Sequence, residues 1–174
     1  MTIKEFLFRP APINWFRSAW GKFLIDDDTV ELQADRLIMI AWLAIVGFPL
    51  YYWVWAYLFP QQYESFLLRF VGMVIVIPFL LVRKLHKEAW FKTYFFVAIT
   101  YALPFFFSFM FFMNNASSVW SQSLLIAIFL LFNLEGKIAA LSLAVGTALA
   151  YLTYGFTTGG YGVAGREILI EVPI

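Results

Sequence analysis

The sequence contains no cysteine and one histidine, and only 13% of its 174 residues are charged. Without cysteine, disulfides and thiolate metal ligands are excluded. The histidine, His86, has no second histidine with which to share a metal ion, and the same scarcity argues against Ser-His-Asp and Cys-His catalysis. A net charge of +1 favours neither nucleic acid nor an acidic partner. We therefore expect no catalytic residue, no cofactor, no bound metal and no nucleic-acid partner.

Hydrophobic residues, in contrast, make up 63% of the chain. A soluble domain of this size cannot bury so much apolar surface, whereas the hydrocarbon of a bilayer accommodates it. A membrane-spanning helix needs about 20 mostly apolar residues. Five stretches meet this requirement, and they comprise residues 37–59, 66–82, 91–113, 119–134 and 138–156. Another apolar run starts near Ile168. The sequence thus predicts an all-α integral membrane protein, a six-transmembrane helix bundle whose sixth helix is truncated or only begun in this chain.

The first 36 residues lack the apolar core and the cleavage site of a signal peptide. Aromatic and basic residues alternate there, which favours a cytoplasmic, interfacial amphipathic lead-in at 1–36 over an ordinary solvated one. Residues 37–174 then form the transmembrane domain. With the N-terminus in the cytoplasm, ten of the twelve Lys and Arg residues lie on the cytoplasmic side, as the positive-inside rule requires. The reverse orientation would place those ten residues outside.

Two features within the spans have both a structural and a functional interpretation. Arg69 is an ionised group at membrane depth, but it lies about one turn into its helix. There it can extend toward the surface or pair with Glu64, and we favour this interpretation over a buried functional charge. The last span carries small residues at four-residue spacing, which favour close helix packing within the bundle or between protomers. These residues are Ala140, Ala144 and Ala148, with Ser142, Gly146 and Ala150 beside them.

The region from the third span into the fourth has the composition of a small-molecule site. Phe107, Met110 and Phe111 belong to a dense run of aromatic and methionine side chains, which form stiff yet adaptable apolar walls. Polar groups follow closely, and they are Asn114, the indole of Trp120, the amide of Gln122 and the hydroxyl of Ser123. Trp120 and Ser123 are three residues apart and so share one helix face. Apolar walls with a few convergent polar groups are typical of ligand sites, although an aromatic belt with polar helix caps fits the pattern equally well.

Two blocks of the sequence resemble a known family. The first contains Gly47-Phe48-Pro49-Leu50-Tyr51-Tyr52, Trp55, Phe59-Pro60-Gln61, Tyr63-Glu64 and Leu68-Arg69. The second contains Leu103-Pro104-Phe105-Phe106-Phe107, Met113-Asn114, Ser118-Val119-Trp120, Ser123 and Ile128-Phe129-Leu130. Together they resemble the membrane sensor domain of quorum-sensing histidine kinases that detect α-hydroxyketone autoinducers, the CqsS/LqsS type, over residues 40–174.

The resemblance implies a six-helix receptor bundle, usually a homodimer, in the bacterial inner (plasma) membrane. Such a receptor binds a small hydrophobic signal molecule within the bilayer and passes the signal through its sixth helix to a cytoplasmic kinase. Trp120 and Ser123 match family positions that contact the ligand. Membrane anchors of bacterial adenylate cyclases look similar, so a dimerising anchor that senses nothing is the alternative. A channel or transporter is disfavoured because neither a repeat nor a polar lumen is evident.

Overall fold

A computed structural model of the chain describes residues 33–159, which consist of helices and short connections and contain no strand. The predicted lead-in, except for its last four residues, and the apolar run near Ile168 lie outside this range. The first helix, α1, spans Ala34–Leu58 and the second, α2, spans Phe66–Leu85. The third, α3, begins at Ala89 and ends at Met113. The last two are α4, Ser118–Phe132, and α5, Gly136–Thr158.

Four of these five helices, α1, α2, α3 and α5, are long and apolar enough to cross a membrane. Many of their large apolar side chains face outward, including Phe156, which is 85% exposed. Lipid accommodates such a surface, whereas water does not. The all-α fold, with four helices that could cross a membrane, is therefore confirmed for residues 33–159. In contrast, α4 has 15 residues, which at 1.5 Å per residue is about 22 Å and short of the roughly 30 Å of hydrocarbon. The predicted count of six spans is not confirmed.

At each end of the bundle, polar contacts join neighbouring helices or the connections between them. At one end, the Asn114 side chain donates to the carbonyl of Tyr63 at 3.0 Å and accepts from its amide at 2.9 Å. We call this the Asn114 end. At the opposite end, the Arg36 guanidinium donates to the carbonyl of Asn133, and Arg83 pairs with Asp35 at 2.7 Å. Successive helices therefore run antiparallel, with α4 starting at the Asn114 end.

Each proline inside a span lies in or shortly before a departure from α-helical geometry. Pro49 precedes a π-helical turn over Val54–Leu58 that closes α1. Pro78 lies in a 3-10 segment of α2, and Pro104 lies in a π-helical turn over Tyr101–Phe105 in α3. Proline lacks an amide hydrogen and clashes with the preceding turn, so the altered turns that contain Pro78 and Pro104 relieve both problems, whereas Pro49 lies in regular α-helix. The turns in α1 and α3 adjoin the cavity described below.

One of the two small-residue stripes of α5 packs inside the bundle. Ser142, Gly146 and Ala150 are buried, and Gly146 faces the π-helical turn of α3. The Ser142 hydroxyl shares a 2.8 Å hydrogen bond with Thr100 of α3. The second stripe, Ala140, Ala144 and Ala148, is exposed on the surface of α5. The first stripe therefore serves contacts within the bundle, and the role of the second between protomers stays a prediction.

Candidate ligand-binding cavity

An elongated cavity of about 520 Å³ lies between α1 and α4, with α3 contributing its floor. Its α1 wall runs from Ile40 to Trp55, and its α4 wall runs from Val119 to Leu130. At 1.5 Å per residue the α1 wall is about 22 Å long. The cavity is therefore long enough for an elongated ligand. Its volume is in the range of small-molecule sites, about 300–1,000 Å³.

Polar and apolar lining residues are segregated along this length. The part distant from the Asn114 end is lined by aliphatic side chains, and these are Ile40, Leu43, Ala44, Leu103, Ala127 and Leu130. The polar lining side chains lie nearer the Asn114 end, and these are Tyr51, Arg69, Trp120, Gln122 and Ser123. This distribution matches a molecule with an apolar tail and one polar head.

Trp120 lies in the first turn of α4, where its indole meets the polar part of the cavity. The side chain is 1% exposed and its ring centroid lies 6.4 Å from that of Phe106. Its Nε1 is buried but has no hydrogen-bond acceptor among residues 33–159. A buried donor of this kind costs about 1–3 kcal/mol unless an acceptor arrives. Trp120 thus lines the polar part of the cavity and has a buried donor without a described acceptor.

The two polar neighbours of Trp120 also line the cavity. Ser123 is half-buried, and its hydroxyl donates to the backbone carbonyl of Val119 at 2.9 Å. This bond leaves the lone pairs of the hydroxyl oxygen available as acceptors. Gln122 is exposed and marks the margin of the cavity. The three predicted site residues of α4, Trp120, Gln122 and Ser123, therefore line the same cavity.

The predicted residues of α3 divide between the cavity and the core. Phe107 lines the cavity and its ring centroid lies 6.4 Å from that of Phe48 in the α1 wall. Met110 and Phe111 are buried one turn further along, in the cluster that also contains Trp120, and do not line the cavity. Asn114 is 2% exposed, and its amide group also donates to the carbonyl of Met110 at 2.9 Å. Met110 and Phe111 therefore pack in the core, and Asn114 links the connections at the Asn114 end by hydrogen bonds.

Sequence reasoning did not identify the α1 wall or the place of Arg69 in the cavity. The α1 lining depends on which face of an almost uniformly apolar helix turns inward, and such a helix has no polar face to reveal it. Arg69 pairs with Glu64 as expected, with Nε 2.7 Å from Oε1, but it is 3% exposed and lines the cavity instead of reaching the surface. Its position as a charge within an apolar span was the signal for a functional site.

The apolar helices of the described residues indicate a multi-pass membrane protein, and the cavity between α1 and α4 has the lining of a small-molecule site. Comparison with known proteins points the same way. The chain is 36% identical over 132 residues, 73% of its length, to the CAI-1 autoinducer sensor kinase/phosphatase CqsS of Vibrio cholerae serotype O1. This match confirms the resemblance to CqsS-type membrane sensor domains. The aligned part is 19% of that relative, so the chain spans about a fifth of its length. No protein-family model and no solved structure matches the chain.

Proposed function

We propose that this chain is the receptor domain of a quorum-sensing system, binding a small apolar signal with an α-hydroxyketone-like head in the cavity between α1 and α4. The observation that carries this proposal is that Trp120, whose buried Nε1 has no acceptor among the described residues, lines the polar part of a mostly apolar cavity. The alkyl tail lies along Leu43, Ala44 and Leu130, because these aliphatic side chains offer water no hydrogen-bond partner. The head lies near Trp120, where its oxygen accepts the indole hydrogen.

Signal passing requires that the ligand bind two conformations with different affinity. The cavity separates α1 from α4, so a ligand that contacts both walls favours one spacing of these helices. The π-helical turns at Val54–Leu58 and Tyr101–Phe105 adjoin the cavity and are positions where helices bend most readily. We propose that this change reaches a cytoplasmic output domain, a histidine kinase, through a sixth helix that begins near Ile168.

The membrane arrangement completes the proposal. The Asn114 end lies outside the cytoplasm, which places the N-terminus, the lead-in of residues 1–36 and the Arg83 end inside. The site is then in the half of the bacterial inner membrane away from the cytoplasm, where a lipid-soluble signal arrives through the bilayer. The exposed stripe of Ala140, Ala144 and Ala148 is available for a homodimer contact.

The proposal predicts saturable, head-dependent binding. We expect the full chain in lipid discs to bind a synthetic unbranched α-hydroxyketone at least about tenfold more tightly than the matched alkane, since an unmet buried donor costs about 1–3 kcal/mol. Isothermal titration calorimetry measures both affinities. Partition of both probes into discs lacking protein provides the control. Equal, non-saturating uptake of the two probes would contradict the proposal.

A dimerising anchor that senses nothing is the second candidate, as in membrane anchors of adenylate cyclases. The exposed small-residue stripe of α5 favours it, because such a surface allows two helices to approach closely. The two functions differ in the titration above. A pure anchor has no reason to bind the hydroxyketone, whereas a receptor binds it whether or not the chain dimerises.

A further inference from the structure

Arg69 is held at the polar part of the cavity by contacts with three other segments. Its Nε and Nη2 donate to the two carboxylate oxygens of Glu64, at 2.7 and 2.8 Å. One of those oxygens also accepts the amide hydrogen of Ser65 at 3.1 Å, which fixes the carboxylate. The guanidinium carbon lies 5.3 Å from the ring centroid of Phe106 and 5.6 Å from that of Trp120. The planar group is therefore fixed by a fork of hydrogen bonds and by two aromatic rings.

This arrangement leaves part of the guanidinium unused. Arginine has five N–H donors, and within residues 33–159 only those on Nε and Nη2 take part in hydrogen bonds. The Nη1 nitrogen donates to no described residue, although Arg69 lines the cavity. The neighbouring indole has the same property, since Trp120 Nε1 also lacks an acceptor. Two donors without a described acceptor thus belong to neighbouring side chains that both line the cavity.

The charges around these donors restrict the head group further. Glu64 compensates the charge of Arg69, so the pair is neutral as a whole. A cationic head would face guanidinium donors and find no carboxylate oxygen free of Arg69. An anionic head would add an uncompensated charge beside the Glu64 carboxylate in an apolar setting. A neutral head with acceptor oxygens avoids both costs.

We propose that Arg69 is a specificity-determining residue of this cavity, donating from Nη1 beside the Trp120 indole so that the site selects neutral heads with two neighbouring acceptor oxygens. The inference rests on the proposed function, and it assigns Glu64 as the residue that positions Arg69. A vicinal hydroxyl and carbonyl satisfy both donors. A simple ketone offers one acceptor oxygen for the two donors, and an alkane offers none.

The test compares three probes of equal chain length, an unbranched α-hydroxyketone, the matched ketone and the matched alkane, on the full chain in lipid discs. In Arg69→Lys the charge opposite Glu64 is retained, but the planar fork and Nη1 are lost. We expect the affinity for the hydroxyketone to fall about tenfold or more, because it loses a hydrogen bond to a charged group. Its preference over the ketone should nearly disappear, while the affinity for the alkane stays unchanged.

Two further variants separate recognition from folding. Arg83→Lys makes the same substitution in an exposed ion pair at the other end of the bundle, and should leave all three affinities unchanged. The double variant Arg69→Met with Glu64→Gln removes both charges together, so no unpaired charge stays buried. It should lose the same preference for the hydroxyketone.

The outcomes distinguish this inference from the proposed function. If wild type prefers the hydroxyketone and Arg69→Lys keeps that preference, Arg69 does not select the head and the inference is overturned while the proposed function stands. A parallel loss of affinity for all three probes would assign Arg69 a purely structural role and would also overturn it. If wild type binds none of the probes saturably, the proposed function and this inference fall together.

Discussion

Replacing Trp120 with phenylalanine is expected to weaken binding of the α-hydroxyketone by about tenfold or more. A separate, moderate loss of folding stability is expected as well, because Trp120 is buried and the smaller ring leaves part of its volume empty. Phenylalanine keeps an aromatic ring against Phe106 and beside Arg69, but it cannot donate a hydrogen bond. Because Nε1 has no acceptor among the described residues, the ligand-free protein loses no hydrogen bond in the substitution. The ligand, in contrast, loses the donor that its oxygen was to meet. Titration calorimetry and thermal unfolding of the same samples separate the two effects.

Trp90→Phe is the matched control for this prediction. Trp90 is 48% exposed at the start of α3 and does not line the cavity. The same substitution there should leave hydroxyketone binding unchanged. If Trp120→Phe bound the hydroxyketone as tightly as wild type does, the indole would have no part in recognising the head.

Replacing Gly146 with alanine is expected to destabilise the bundle by about 1–3 kcal/mol, the usual cost of overpacking a core. A Cβ at this position would lie 2.7 Å from Cγ of Pro104 and 2.9 Å from the backbone nitrogen of Phe105. Backbone atoms cannot rotate away as a flexible side chain can. The hydrogen bond between Thr100 and Ser142 also ties the two helices together, so α5 cannot simply withdraw. Thermal unfolding in lipid discs should show a lower midpoint.

The control for this second prediction lies in the same helix. Gly136 begins α5, and a Cβ there would meet nothing within 4 Å. Gly136→Ala should leave stability unchanged or slightly higher, because alanine restricts the unfolded chain. An unaltered midpoint in Gly146→Ala would mean that α3 and α5 do not pack as closely as described.

Much of the fold could be predicted from the sequence because membrane spans are read from length and hydrophobicity alone. The predicted span at 37–59 corresponds to Ala34–Leu58, and the one at 138–156 corresponds to Gly136–Thr158. The fourth stretch shows the limit of this reasoning. The predicted apolar stretch continues to Leu134, but the helix ends at Phe132, and Asn133 and Leu134 lie beyond it. The apolar pattern does not record where a helix ends.

The site was predictable only in part, because a cavity depends on how helices meet. Trp120 and Ser123 stood out as polar groups on one face of a helix, and the structure places both in the cavity wall. Met110 and Phe111 looked equally suitable by composition, but the structure buries them in the core cluster that also contains Trp120. The Ile40–Trp55 wall of α1 lies far from Trp120 in sequence. No local pattern connects the two.

The central claim, that the cavity between α1 and α4 holds the signal, is tested most directly by filling it. Ala44 lines the aliphatic part, and phenylalanine there would occupy the space assigned to the tail. Val46→Phe adds the same ring on the exposed face of the same helix as a control, since Val46 is exposed and does not line the cavity. Titration of the α-hydroxyketone into both variants in lipid discs should show no saturable binding for Ala44→Phe and wild-type affinity for Val46→Phe. Wild-type affinity in a folded Ala44→Phe variant would contradict the claim.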